Sequence, residues 1–213
     1  MKLLKRTTQI LAVILIVSIT QSCGSSKEQI ADEQLSSFML GGIYFFNGYG
    51  GVDEVKKMMS DAGYTSDEEL VSGYKEILEF PFETSQKSGI KNMFRTMWDV
   101  TDKASLLSTI EDLKTRDYKY KSWDYARIVN NACMGYAAEY LSKEEVIEII
   151  KEVLPLAREK YENWDVYYTD FNLGRVEWNS EDPDGAAFKT LSENITKGEK
   201  SIYNILPLHT KAE

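Results

Sequence analysis

Between Lys121 and Leu141 the chain reads KSWDYARIVNNACMGYAAEYL. At about 100° per residue this stretch predicts a helix that is apolar on nearly every side. One face collects Trp123, Arg127, Asn130, Met134, Ala137, Ala138 and Leu141, and the other Tyr125, Val129, Ala132, Cys133, Tyr136 and Tyr140. A helix of this kind is stable only when buried, so the rest of the fold has to surround it. Burial then makes Asp124, Arg127 and Asn130 expensive unless each finds a partner. Asp124 and Arg127 are three residues apart and stack on adjacent turns.

The stretch Asn163–Trp178 is the natural source of partners. Read as a helix, it places Trp164, Tyr168, Phe171, Arg175 and Trp178 on one face, with Asp165 and Asp170 nearby. Gly174, beside Arg175, allows a second backbone to approach closely. The candidate site is therefore Trp123, Asp124, Arg127, Asn130, Asp165, Tyr168, Arg175 and Trp178, held between helices 121–141 and 163–178. Two readings of it are possible. In the first, the charges form a satisfied ion-pair network that fixes helix register, with Arg175 buried against Trp164, Phe171 and Trp178 and paired to Asp124. In the second, two arginines in an aromatic-walled pocket bind a carboxylate or phosphate bidentately, or the aspartates act as general acid and base. The first is preferred, because ion pairs occur in cores as well as in active sites.

The remaining chain is also helical in pattern. Helices are predicted over 31–46, 52–62, 85–98, 101–115 and 186–197. Two capping boxes, Ser66-Asp67-Glu68-Glu69 and Ser142-Lys143-Glu144-Glu145, open two more. Pro155 falls on the solvent side of the second of these. No segment of length alternates in the strand manner. The fold class is all-α: a single compact multi-helix domain behind a cleaved signal peptide and short polar tether.

The N-terminus supports the last part of that statement. Lys2, Lys5 and Arg6 precede the apolar run Ile10–Ile19, which is too short to span a bilayer. Ile19-Thr20-Gln21-Ser22-Cys23 resembles a bacterial lipoprotein signal, in which Cys23 becomes the lipidated first residue. Thr20 stands where an aliphatic residue is usual. The expected organisation is 1–22 signal peptide, 23–30 lipidated cysteine and tether, 31–206 helical domain and 207–213 tail. Localisation follows as the cell envelope, in the outer membrane if the cell has one, with the membrane as partner through the lipid. Cleavage removes three of the 25 basic residues and no acid, leaving 22 bases against 34 acids, a net charge of −12. Such a chain is poorly suited to nucleic acid. Cys133 would be the only remaining thiol, so no internal disulfide can form.

Five short motifs together suggest a family. W-D-V-T-D at 98–102, S-W-D-Y-A-R at 122–127, Y-L-S-K-E-E at 140–145, N-W-D at 163–165 and G-R-V-E-W at 174–178 resemble the DUF1266 family, bacterial proteins of unassigned function. The resemblance covers roughly Leu35 to Asn204. Its most specific parts are Trp123-Asp124 with Arg127 and Gly174-Arg175 with Trp178. It implies a helical domain and carries no known chemistry.

Motifs for catalysis are lacking. There is no HExxH, CxxC or phosphate-binding glycine loop, and His209, the only histidine, lies in the tail. Asp182-Pro183-Asp184-Gly185 reads as a surface turn rather than a calcium loop. No cofactor and no metal are expected. The function expected is that of a lipid-anchored envelope protein with a non-catalytic binding or protein-interaction domain, possible partners being another envelope protein or an unidentified small molecule. The alternative is an enzyme or small-anion-binding protein using the Asp/Arg pocket.

Overall fold

The computed structural model describes residues 30–209. The expected signal peptide, Cys23 and nearly all of the expected tether lie outside the described residues. Among those described there are eleven α-helices and no strand, forming one helical domain. They are α1 (Glu33–Met39), α2 (Gly42–Gly48), α3 (Val52–Asp61), α4 (Asp67–Leu78), α5 (Lys87–Met93), α6 (Lys103–Thr115), α7 (Lys121–Ala137), α8 (Lys143–Lys160), α9 (Trp164–Trp178), α10 (Gly185–Asn194) and α11 (Ile202–Ile205). No helix among them is long and apolar enough to cross a membrane.

Helix α7 is the axis of the fold. Fourteen of its 17 residues are buried, and it packs against α6, α8 and α9. Its first turn has no side-chain cap of its own. The Ser122 amide instead donates to the Tyr161 hydroxyl at 2.7 Å, and the Ser122 hydroxyl donates to Asp170 at 2.7 Å. A carboxylate and a phenol from the α8–α9 region thus satisfy the helix N-terminus, where negative charge is favoured. Lys121, at the same end, does the reverse for α6. Its buried ammonium donates to the carbonyls of Leu113 (2.7 Å), Arg116 (3.1 Å) and Lys114 (3.2 Å). Those carbonyls would otherwise be orphaned at a helix C-terminus. Gly174 is where α9 meets this region: a Cβ there would lie 2.9 Å from Tyr120 Cβ and 3.0 Å from Trp123 Cβ. The close approach expected of that glycine is present.

Several expected boundaries shift, each for a local reason. The single helix expected over 31–46 is two, α1 and α2. Buried tyrosines take the carbonyls at the break: Tyr168 and Tyr203 donate to Met39 O at 2.6 and 3.0 Å, and Tyr167 donates to Leu40 O at 3.0 Å. The helix expected to run to Leu141 ends at Ala137. Glu139 adopts a left-handed φ of 58°, and the amides of Tyr140 and Leu141 both turn back to Gly135 O. That reversal delivers Ser142 to its capping box, which forms as expected, as does the one at Ser66. The helix expected over 85–98 is a short 3₁₀ turn (Thr84–Gln86), then α5, then a π-helical turn over Phe94–Trp98. The packed chain also continues into the segment assigned to a tail. Leu208 is buried, its carbonyl accepts from Arg158 Nε at 2.7 Å, and His209 Nε2 lies 2.8 Å from Tyr161 O.

Candidate anion-binding cleft

The expected cluster divides into a closed ion network and an open cleft, and Arg127 belongs to both. Asp124 is fully buried on α7. Arg116 donates to it through Nε at 3.1 Å and through Nη2, Lys121 through Nζ at 3.1 Å, and Arg127 through Nη2. Three cations therefore surround one carboxylate, with the Lys121 charge shared among α6 carbonyls. This is the satisfied network that burial of Asp124 demands. Its partners differ from the expectation. Asp124 does not pair with Arg175; it pairs with residues on its own helix and on the α6–α7 connection, which are closer in the chain.

Arg127 leaves this network towards solvent. Its guanidinium carbon lies 3.6 Å from the Trp123 ring centroid and 5.8 Å from that of Trp98, which the π-helical turn presents. Nε donates to the Trp123 carbonyl at 3.3 Å. Burial lowers the Arg127 pKa, opposed by Tyr44 and Asp124; the side chain stays cationic but its charge is incompletely solvated. Across the cleft, Arg175 stacks 3.8 Å over the Phe188 ring of α10 and pairs through Nη2 with Asp182. Trp164 instead packs in the core against Tyr167 and Tyr203, and the ring under Arg175 is Phe188 of α10, which folds back over α9 and also meets Phe171. Asp182, read from sequence as part of a surface turn, is the partner Arg175 needed.

The space between the two guanidinium groups is a cleft of about 420 Å³, within the ordinary range for small-molecule sites. Tyr44, Asn47, Asn130, Asp182 and Asp184 supply its remaining polar lining, and Trp98, Trp123, Trp178, Phe188 and three methionines supply the apolar part. Trp178 and Met97 are 62% and 72% exposed at its rim. Three observations bear on chemistry. Nη1 of Arg127 and of Arg175 makes no hydrogen bond among the described residues. Arg175 Nε and Trp123 Nε1 are buried with no acceptor. The Tyr44 hydroxyl lies within hydrogen-bonding reach of the Trp123 and Arg175 side chains, although Nε1 and Nε themselves close no bond of full geometry. Burial raises the Tyr44 pKa, offset in part by Arg127 and then Arg175, so this hydroxyl is neutral. Two buried donors at the cleft thus lack an acceptor of good geometry, and a buried donor without an acceptor costs about 1–3 kcal/mol.

The other expected site residues fall as follows. Asn130 lines the cleft and donates to Met134 Sδ at 3.3 Å. Trp178 lines it too, its ring 5.7 Å from that of Trp123. Tyr168 does not reach it; its hydroxyl is used in the core by Met39 and Tyr203. Asp165 is at the surface, held by Thr196 and by Lys197 at 3.1 Å, contacts that lower its pKa. Sequence reasoning missed Tyr44, Trp98, Arg116, Asp182 and Phe188 as members. A larger hollow of about 640 Å³ beside Gly50, Gly51 and α10 has no orphaned buried polar atom in its lining and offers no comparable chemistry. No group of three or more metal-ligating side chains is gathered among the described residues.

Residues 114–208 align with the family described as protein of unknown function (DUF1266). This range contains both of the most specific motifs, and the W-D-V-T-D segment lies outside it. Over 64 residues the chain is 34% identical to the uncharacterized protein YbeR of Escherichia coli strain K12, covering 30% of this chain. The chain spans only 27% of the length of that relative. No solved structure matches the chain.

Proposed function

We propose that this protein is a lipid-anchored envelope domain that binds a small organic anion, without catalysis, in the cleft between Arg127 and Arg175. The observation that carries the reading is a pair of ring-stacked guanidinium groups facing one cleft with donors left over. Two stacked guanidinium groups each keep Nη1 free, and two further N–H groups in the same cleft are buried without acceptors. An oxyanion supplies the missing acceptors, and stacked, pre-oriented arginines lose little freedom on binding it. Arg127→Gln and Arg175→Gln, with melting curves to verify folding, should each weaken anion binding measured by calorimetry at least tenfold. Unchanged binding in both variants overturns the proposal.

The lipid anchor rests on the layout of residues 2–23. Cys23→Ser should release the processed protein from the membrane fraction; retention after signal cleavage would refute anchoring through Cys23. The closed network around Asp124 favours a structural role for that part of the cluster, so one set of charged residues serves both stability and binding.

A further inference from the structure

We infer that the ligand of this cleft is a monocarboxylate with a flat aromatic body. The inference rests on the anion-binding reading above and assigns its chemical class. Charge is the first argument. Around the cleft and the network behind it stand four cations, Arg116, Lys121, Arg127 and Arg175, and three carboxylates, Asp124, Asp182 and Asp184. One negative charge completes the balance. A phosphate dianion would bring one more than the site can neutralise, close to two aspartates, whereas a carboxylate matches it. Geometry is the second argument. A carboxylate has two oxygens with about four acceptor positions, and the cleft offers Nη1 of both arginines, with Arg175 Nε and Trp123 Nε1 buried behind them beside the Tyr44 hydroxyl.

The body of the ligand follows from the rest of the wall. Trp178 packs with its centroid 5.7 Å from that of the buried Trp123, planes tilted by 48°, and leaves most of its own ring exposed at the cleft mouth. Trp178 is 62% exposed and Met97 72% exposed at the same rim. Offset or edge-on ring packing against the Trp178 indole adds to simple burial, which favours a flat ring over a flexible chain. The volume of about 420 Å³ admits a body of about one or two rings.

The test uses the purified full chain in a non-ionic detergent, with detergent alone as the blank, and isothermal calorimetry. The probes are 2-naphthoate, 2-naphthol, 2-naphthyl phosphate, octanoate and acetate. The inference expects 2-naphthoate to bind most tightly, with naphthol, naphthyl phosphate, octanoate and acetate each weaker by tenfold or more. Trp178→Ala, a change at an exposed residue that leaves the folded core alone, should weaken 2-naphthoate and leave acetate unchanged. Tighter binding of naphthyl phosphate overturns the carboxylate class but leaves anion binding standing. Tighter binding of octanoate overturns the aromatic body. Naphthol binding as well as naphthoate, or none of the probes binding, overturns both this inference and the anion-binding reading.

Discussion

Replacing Asp124 with alanine should be among the most damaging single changes available in this domain. The side chain is 0% exposed. It accepts four hydrogen bonds from three cations, Arg116, Lys121 and Arg127. Their fates after its removal differ. Arg116 has 34% of its side chain exposed and can turn to water, whereas Lys121 at 10% and Arg127 at 13% are far less solvated. Lys121 keeps its three α6 carbonyls. Arg127 keeps only the Trp123 ring and carbonyl, and becomes a buried charge without a counter-ion. Breaking a buried pair by deleting one partner costs about 3–5 kcal/mol. For a domain of this size each kcal/mol shifts the melting temperature by about 2–4 °C, so a fall of about 6–20 °C is expected. Arg116→Ala should cost about 1 kcal/mol or less, since it is half-solvated and Asp124 retains two partners. Thermal and urea melts of the two variants beside the parent supply the assay. A fall of under about 3 °C for Asp124→Ala would refute the reasoning, as would a larger fall for Arg116→Ala.

Gly174→Ala should destabilise by about 1–3 kcal/mol despite the helix-propensity gain, because its Cβ meets the Cβ atoms of Tyr120 and Trp123, which cannot swing away. Gly89→Ala in α5 meets nothing within 4 Å and should be stabilising by about 0.5–1 kcal/mol in the same melts; the opposite order would refute the packing argument. Cys133 is fully buried and burial pushes its thiol far up, so a thiol reagent at pH 8 should label it only at the rate of global opening. The Arg158 hydrogen bond holds the Glu33 carboxyl below its ordinary value of 4.5. Its stabilising contribution is therefore present above pH 4.5 and lost as pH falls through the lowered value. The stability gap between parent and Arg158→Gln should accordingly shrink below pH 4.5; a constant gap in acid urea melts would contradict the linkage.

The sequence made the axis of the fold legible because α7 is apolar on every side, a pattern with few alternatives. Capping boxes were legible for the same reason that they work: the hydrogen bonds join residues three apart. Helix breaks were less so. The α1–α2 break depends on the hydroxyls of Tyr167, Tyr168 and Tyr203, which are more than 120 residues away along the chain, and no local pattern encodes that. The candidate site was half legible. Arg127, Arg175, Trp123, Asn130 and Trp178 are drawn together because helical periodicity puts them on the facing sides of α7 and α9. Pairing was misjudged. Both arginines faced one obvious buried carboxylate, but Asp124 is saturated from nearer in the chain, and Arg175 turns instead to Asp182, seven residues on. Tyr44, Trp98 and Phe188 reach the cleft through tertiary packing of α2, the π-helical turn and α10, for which the chain carries no local signal.

The central claim is that the cleft holds donors that lack an acceptor until an anion arrives, and the indole N–H of Trp123 reports on it directly. The chain has four tryptophans, so four indole resonances are expected in a nitrogen–proton correlation spectrum. Trp164 is an internal control, since its N–H already donates to Leu206 O at 2.9 Å. On titration with 2-naphthoate, the Trp123 indole proton should move downfield as it gains an acceptor, while Trp164 stays in place. A Trp123 resonance that does not move at a ligand concentration where calorimetry reports saturation would contradict the account.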